Sequence, residues 1–445
     1  MNSTIRDRVR QAKEASIELA AQSTEVKQEA LKAMAKSLDD NRERILSSNQ
    51  ADLDKALEMV EKGELTSALV KRLKVDDEKI DAMIAGIRDV ISLQDPVGRT
   101  MDTLELDEGL TLFQISCPIG LIGVIFESRP DVVPQILSLC LKSGNATIFK
   151  GGSEAQNSNR ALFDVLVQAA SSVPGIPSSA FQLMESRDDV NAILEFDEYI
   201  DLLIPRGSNS FVRFMQDNTR IPVLGHASGI CHVYVDRRAD AEKAVKVVLD
   251  SKIQYAAVCN AVETLLVHHE VAGPLLPILV KNLLDNSVEV RVDEAGLRIL
   301  HSEDINGAVA ASEDDWDEEY NDMIISVKVV ASMEEAIVHI NRHGSGHTDA
   351  IVTEDREAAA RFISLVDSAS VMFNASTRFA DGFRYGKGAE VGISTNKIHA
   401  RGPVGMEGLM IYKYILMGDG HVVKDYAGPT AKRFTHVRKD EEFQI

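Results

Sequence analysis

The sequence predicts an α/β protein built from two α/β domains in series. Three observations carry this. Short apolar runs alternate with helical stretches from about residue 120 to 225, and a second alternation of the same kind runs from 232 to 373. Ahead of both lies a helical stretch that ends in a two-stranded hairpin. Strands separated by helices imply βαβ units and parallel sheets.

Residues 4–95 read as helical, because Leu31, Met34 and Leu38 recur at helical spacing and Gly and Pro are scarce until Asp95-Pro96. Residues 100–117 alternate apolar and polar side chains around Asp107-Glu108-Gly109, the pattern of a β-hairpin. The runs 120–126, 145–150, 180–184 and 199–205 read as strands of the first domain, with helices at 130–142 and up to about Ser172. In the second, strands are expected at 232–235, 263–269, 287–292, 325–330, 348–353 and 370–373, with helices at 239–250, 271–285, 333–341 and 355–366. The apolar, alternating run 411–423 stands far from its sequence neighbours. It is expected to pair with the 100–117 hairpin or with another subunit.

Composition narrows the function. The chain has 445 residues, 44% hydrophobic and 26% charged, so it holds enough apolar content for more than one core. Its net charge of -21 repels nucleic acid and anionic membrane surfaces. No run is long and apolar enough for a membrane helix, and the N-terminus lacks an apolar signal core. Neither nucleic acid nor membrane is an expected partner. Cys117, Cys140, Cys231 and Cys259 have no C-x-x-C or metal-ligand spacing, which fits a reducing, cytoplasmic compartment. Among the eleven histidines, His268-His269 are adjacent on a strand and should face opposite ways. His343 and His347 lie in loop sequence with no nearby acid. The sequence predicts no metal.

The chemistry-bearing positions are individually weak. There is no G-x-G-x-x-G and no G-x-x-x-x-G-K-[ST], so a nucleotide must be held in another way. Lys150 ends a strand, where ligands bind in open α/β sheets; a surface lysine is the plainer reading. Arg206-Gly207-Ser208-Asn209 follows a strand and opens a helix, so its free N–H groups suit a pyrophosphate or a simple cap. Cys259 is preceded by small residues in YAAVCNAVETLL, leaving room beside its sulfur; taken alone it reads as buried filler. Cys140 shares an apolar helix face with Val132 and Ile136. The acidic run Glu313–Glu319 reads as a solvated loop.

Taken together, six collinear segments resemble the aldehyde dehydrogenase superfamily: 117–132, 141–155, 204–212, 221–236, 255–268 and 399–409. The likeness covers nearly the whole chain and is closest to the branch that reduces gamma-glutamyl phosphate. It implies two Rossmann-like three-layer α/β domains plus a small β oligomerisation flap. The cofactor-binding domain would comprise 1–99 and 118–226, the catalytic cysteine domain 227–408, and the flap 100–117 with 409–425. It implies Cys259 as nucleophile, Lys150 at the cofactor's adenosine ribose, Gly207 and Ser208 beside its pyrophosphate, and Glu319 at its nicotinamide ribose.

Two departures from that family's pattern are informative. Aldehyde-oxidising members carry a glutamate in E-L-G-G that activates water; here Val223-Leu224-Gly225-His226 stands there, and Val223 cannot take a proton. Ser128 falls where those members place an oxyanion-binding asparagine, leaving the Cys259 backbone N–H and Ser128 as oxyanion candidates. Arg129 beside it is a fork-shaped donor suited to carboxylate or phosphate, or a structural ion pair. Loops after Ser376 and around His399–Gly402 are further substrate-binding candidates.

The resemblance thus implies reduction of L-gamma-glutamyl 5-phosphate by NADPH, through a Cys259 thioester, to L-glutamate 5-semialdehyde and phosphate. This would be the second step from glutamate to proline. A homo-oligomer (dimer or tetramer) and an association with glutamate 5-kinase are implied as well. A hydrolytic aldehyde dehydrogenase, opposed by Val223, and a non-catalytic scaffold are the rival readings.

Overall fold

A computed structural model describes residues 2–63, 67–185, 188–226 and 228–444. The N-terminal helical stretch is divided into α1 (Asn2–Ala20), α2 (Thr24–Asp40), α3 (Arg42–Glu61), α4 (Ser67–Leu73) and α5 (Asp77–Ser92). The Leu31, Met34 and Leu38 stripe of α2 is fully buried, each side chain worth about 1.5–3 kcal/mol of transfer free energy.

Strands β1 (Thr100–Asp107) and β2 (Leu110–Pro118) form the expected hairpin, closed where Gly109 adopts φ 73°. The first domain follows: β3 (Leu121–Phe126), α6 (Val132–Lys142), β4 (Ala146–Gly151), α7 (Gln156–Ser171), β5 (Phe181–Met184), α8 (Asp188–Leu194), β6 (Leu202–Arg206) and α9 (Asn209–Asp217). Its sheet is parallel, in the order β5-β4-β3-β6. Every residue of β3 and β4 is buried, which is why β3 reads as an unbroken apolar run and β4 as one interrupted only by Thr147 before Lys150.

The second domain comprises β7 (Cys231–Val235), α10 (Ala241–Ile253), β8 (Val262–His268), α11 (His269–Asp285), β9 (Glu289–Val292), α12 (Glu294–Ser302), β10 (Val309–Ala310), β11 (Ile324–Val330), α13 (Met333–His343), β12 (Thr348–Val352), α14 (Arg356–Leu365) and β13 (Ser370–Phe373). Seven parallel strands run in the order β10-β9-β11-β8-β7-β12-β13. The Cys259 segment joins α10 to β8, beside the middle of this sheet.

The chain then returns to the first domain. Strands β14 (Gly392–Ser394) and β15 (Gly402–Val404) form a short antiparallel pair, and Val391, Val404, Met406 and Leu409 complete the first domain's core. The second domain's own core therefore stops short of the expected boundary at 408. Strand β16 (Met410–Met417) pairs with β2 along its whole length, as the hairpin alternative anticipated, but ends at Met417 rather than 423. Strand β17 (Val437–Arg438) joins the other edge, giving the antiparallel order β16-β2-β1-β17 and carrying the flap past 425.

Two local expectations are corrected. The acidic run is only partly solvated. Asp315 and Trp316 are buried, and the Asp315 carboxylate accepts from Ser312, Arg291 and Tyr320. His268 ends β8 and caps α11, so its ring stacks on His269 at 4.7 Å between centroids instead of facing away. Among the described residues no helix is long and apolar enough to cross a membrane.

Candidate active site

Cys259 lies at the end of the α10–β8 connection and is packed tightly from one side. A Cβ on Gly229 would stand 2.3 Å from the Cys259 carbonyl oxygen and 2.5 Å from its Cα. Only glycine permits that approach. The Cys231 thiol, at the head of β7, donates to the same carbonyl at 3.2 Å. The backbone bearing the sulfur is thus fixed from the neighbouring strand.

The sulfur sits among charges from three parts of the chain. Burial pushes the Cys259 thiol up to about 12; Glu319 and Glu390 add to that push and Arg206 opposes it. In this state the group is a thiol at neutral pH. Arg206 ends β6, and its guanidinium covers Gly392, where a Cβ would stand 2.6 Å from Nη1. Burial and the nearby Arg129 hold Arg206 below the usual arginine value. Arg378, from the loop after Ser376, is also buried and near enough for its charge and the Cys259 thiolate to affect each other.

Two histidines complete the surroundings. One ring nitrogen each of His226 and His347 lies, with the Cys259 sulfur, inside a set whose members are all within 4.8 Å of one another. His226 Nδ1 is 2.9 Å from the Ile393 carbonyl oxygen, which can only accept, so Nδ1 carries the proton and Nε2 keeps a lone pair. Burial holds both rings below the usual histidine value, so both are neutral.

Lys150 and the Gly207-Ser208 pair fall at the ends of β4 and β6, the two strands that flank β3. Lys150 is buried, unlike a surface lysine, and its Nζ donates to the Gly151 carbonyl at 2.6 Å. A cleft beside it is lined by Gly151, Gly152, Leu183, Met184 and Glu185. At the start of α9 the Ser208 N–H donates to Glu127 Oε2 at 3.0 Å, and a Cβ on Gly207 would stand 2.4 Å from that carboxylate oxygen. An anionic group thus already meets this helix start. Asn209 Nδ2 donates to Glu319 Oε2 at 2.6 Å, which holds Glu319 at the start of α9, near enough for its charge to raise the Cys259 thiol. The set offers a buried cation and a close backbone approach, but the start of α9 is taken by the Glu127 carboxylate, which a pyrophosphate would have to displace.

The other candidates are placed differently. Ser128 is buried at φ 46°, and both its N–H and its hydroxyl donate to Glu154 Oε1, at 2.6 and 2.8 Å. The hydroxyl is therefore committed to Glu154. Arg129 pairs with Asp131 at 3.3 Å, the structural alternative foreseen for it, while remaining close to Arg206. Arg401 is held by Asp367 and the Thr395 carbonyl. Val223 is buried in the first core, and its carbonyl accepts from Asn396.

Sequence reasoning missed Arg206, Glu390, His226 and His347. Arg206 carried a signal, since it sits one residue before the predicted helix-start glycine. The histidines carried none, because their partners are far away in sequence.

These features match a known class. The chain matches the sequence profile of the aldehyde dehydrogenase family over residues 2–296, and it belongs to that family. It is 63% identical to gamma-glutamyl phosphate reductase of Methanococcoides burtonii over 99% of this chain and 98% of that one. The same enzyme of Methanosarcina mazei is 61% identical over 100% and 99%. The crystal structure of gamma-glutamyl phosphate reductase from Thermotoga maritima superposes with TM-score 0.90 at 41% identity, covering 94% of this chain and 99% of that one. Its place within the family is the gamma-glutamyl phosphate reductase group, whose members are oxidoreductases that use nicotinamide cofactors.

Proposed function

We propose that the protein reduces L-gamma-glutamyl 5-phosphate to L-glutamate 5-semialdehyde and phosphate with NADPH, the second step of proline biosynthesis from glutamate, in the cytoplasm. The observation that carries this is the setting of Cys259. Its backbone is clamped by Gly229 and Cys231, charged groups surround the sulfur, and an apolar Val223 stands where hydrolytic relatives place their water-activating carboxylate.

Cys259, once deprotonated, attacks the acyl carbon; the carbon–oxygen bond to phosphate breaks and a thioester forms on the sulfur. Arg206 is the half-buried cation that offsets the charge gathered at this centre. Lys150 and the start of α9 at Gly207 and Ser208 would hold the cofactor, with Glu319 at its nicotinamide end. When bound, the cofactor supplies the hydride that reduces the thioester carbonyl. The carbon–sulfur bond of the resulting thiohemiacetal then breaks, releasing the aldehyde and restoring the thiolate. Without a carboxylate at Val223, no side chain there activates water against the thioester. The free semialdehyde can cyclise to pyrroline-5-carboxylate.

NADPH is preferred in this reading because buried Lys150 offers a cation to a 2′-phosphate. Strand β16, an exposed edge bearing Ile411, Tyr412, Tyr414 and Leu416, supports a homo-oligomer assembled through the flap.

The test is phosphate-dependent reduction of NADP on adding pyrroline-5-carboxylate. Phosphate-independent formation of the acid would instead indicate a hydrolytic enzyme. Cys259→Ala should abolish turnover and leave cofactor binding intact; retained reductase activity would overturn the assignment.

A further inference from the structure

Three soft-donor side chains converge here from segments far apart in sequence. The Cys259 sulfur and one ring nitrogen each of His226 and His347 lie within 4.8 Å of one another. Cysteine and histidine are the donors that favour zinc and its neighbours over magnesium or calcium. A tetrahedral ion would need these atoms to draw together by roughly 1 Å.

His226 is already fixed by an acceptor, as metal-ligating imidazoles usually are. His226 is held through Nδ1–H by the Ile393 carbonyl at 2.9 Å. His347 Nδ1 lies 2.8 Å from the Thr348 hydroxyl, which can accept its proton. In His226 the other nitrogen then carries the lone pair, whereas the Thr348 hydroxyl can donate or accept and leaves either nitrogen of His347 able to carry it. His347 is fully buried, and its Nε2 has no hydrogen-bond partner among the described residues. A buried nitrogen left unpaired is costly unless something occupies it at times.

We propose that Cys259, His226 and His347 form a binding site for a thiophilic divalent ion of the zinc class, which switches the enzyme off by taking the nucleophilic sulfur as a ligand. The ion replaces the thiol proton, and the sulfur binds it as thiolate. Three protein ligands leave a fourth position open to water or to a substrate oxygen. Glu319 and Glu390 offset the added charge, while Arg206 opposes it. The loss of activity rests on the reading of Cys259 as nucleophile; the binding itself does not.

The probe is Zn²⁺ alone, titrated into the purified, chelator-treated full chain, with Co²⁺ as spectroscopic reporter. One zinc per chain should bind, activity should fall in step with loading, and a chelator should restore it. Mg²⁺ and Ca²⁺ at equal concentration should do nothing. The Co²⁺ form should show a thiolate-to-metal charge-transfer band that is lost in Cys259→Ala. His226→Ala and His347→Ala should each weaken Zn²⁺ binding by about tenfold or more. Should either variant fail to fold, the Co²⁺ spectrum of the unaltered chain still decides.

Absence of that band, or unchanged zinc affinity in folded histidine variants, would overturn the metal site. If Cys259→Ala is also inactive, the nucleophile assignment survives that failure. A Cys259→Ala protein that loses zinc but keeps reductase turnover would overturn the nucleophile and leave the site standing.

Discussion

Lys252 and Glu263 form an ion pair from which both side chains exclude solvent entirely, with Nζ 2.7 Å from Oε2. Lys252 is in the last turn of α10 and Glu263 is the second residue of β8, so the pair ties together the two ends of the connection that carries Cys259. Breaking one side of a buried pair strands a charge. Lys252→Met is therefore expected to destabilise the fold by about 3–5 kcal/mol, whereas Lys252→Met with Glu263→Leu recovers much of that. Denaturant titration of the two variants checks this, and equal losses in both would contradict it.

Gly229→Ala tests the clamp on Cys259, the proposed nucleophile. The new methyl must push against the Cys259 backbone, which the Cys231 thiol holds from the head of the strand that follows Gly229. A displacement near 1 Å at a reacting atom costs about a hundredfold. The expected outcome is a kcat lowered by that order with cofactor affinity unchanged, read from steady-state kinetics beside a binding titration. Wild-type kcat in this variant would show that the close approach is dispensable.

The Cys259 thiol should be sluggish toward iodoacetamide in the unliganded enzyme. Its value near 12 leaves about one thiolate in ten thousand at pH 8. Alkylation should quicken about tenfold per pH unit from 7 to 9. Glu319→Gln removes a charge that raises the thiol, so its profile should move to lower pH; Arg206→Met should move it higher. Mass spectrometry of the Cys259 peptide gives these rates, and profiles that coincide would mean neither charge reaches the sulfur.

If β16 is an assembly edge, Tyr414→Asp with Leu416→Asp should shift the protein towards monomer. Both side chains are exposed on the edge strand, so folding of the protomer should be little affected. Light scattering after size exclusion measures the change. Unaltered mass would move the assembly surface elsewhere.

Much of this architecture was legible because buried parallel strands leave unbroken apolar runs. Leu121–Phe126 is such a run, buried at every position, and Leu265–Val267 is the apolar stretch of the equally buried β8. Strands β14 and β15 were not legible, since three residues carry no periodicity. Nor was the return of Val391 to Leu409 to the first core, because sequence order says nothing of a chain doubling back. At the candidate site, Cys259 stood out from the other three cysteines only through its collinear surroundings. His347 was passed over because its near sequence neighbour, His343, turns to Asp317 at 2.8 Å, while its ring partner is His226. Asp315 and Trp316 escaped for a similar reason: a run of like charge hides the members that Arg291 and Lys328 draw inward.

The flap has a consequence for the order of assembly. Strand β2 gains its outer neighbour only from Met410–Met417, and β1 gains its own from Val437–Arg438. Contacts between segments so far apart in sequence form late, because loop closure must precede them. During synthesis the 100–118 hairpin therefore waits, its backbone unpaired on both sides, while both parallel sheets are laid down. If the proposed assembly runs through this surface, a nascent chain cannot use it until Met410–Met417 has emerged, so association would follow synthesis of that segment.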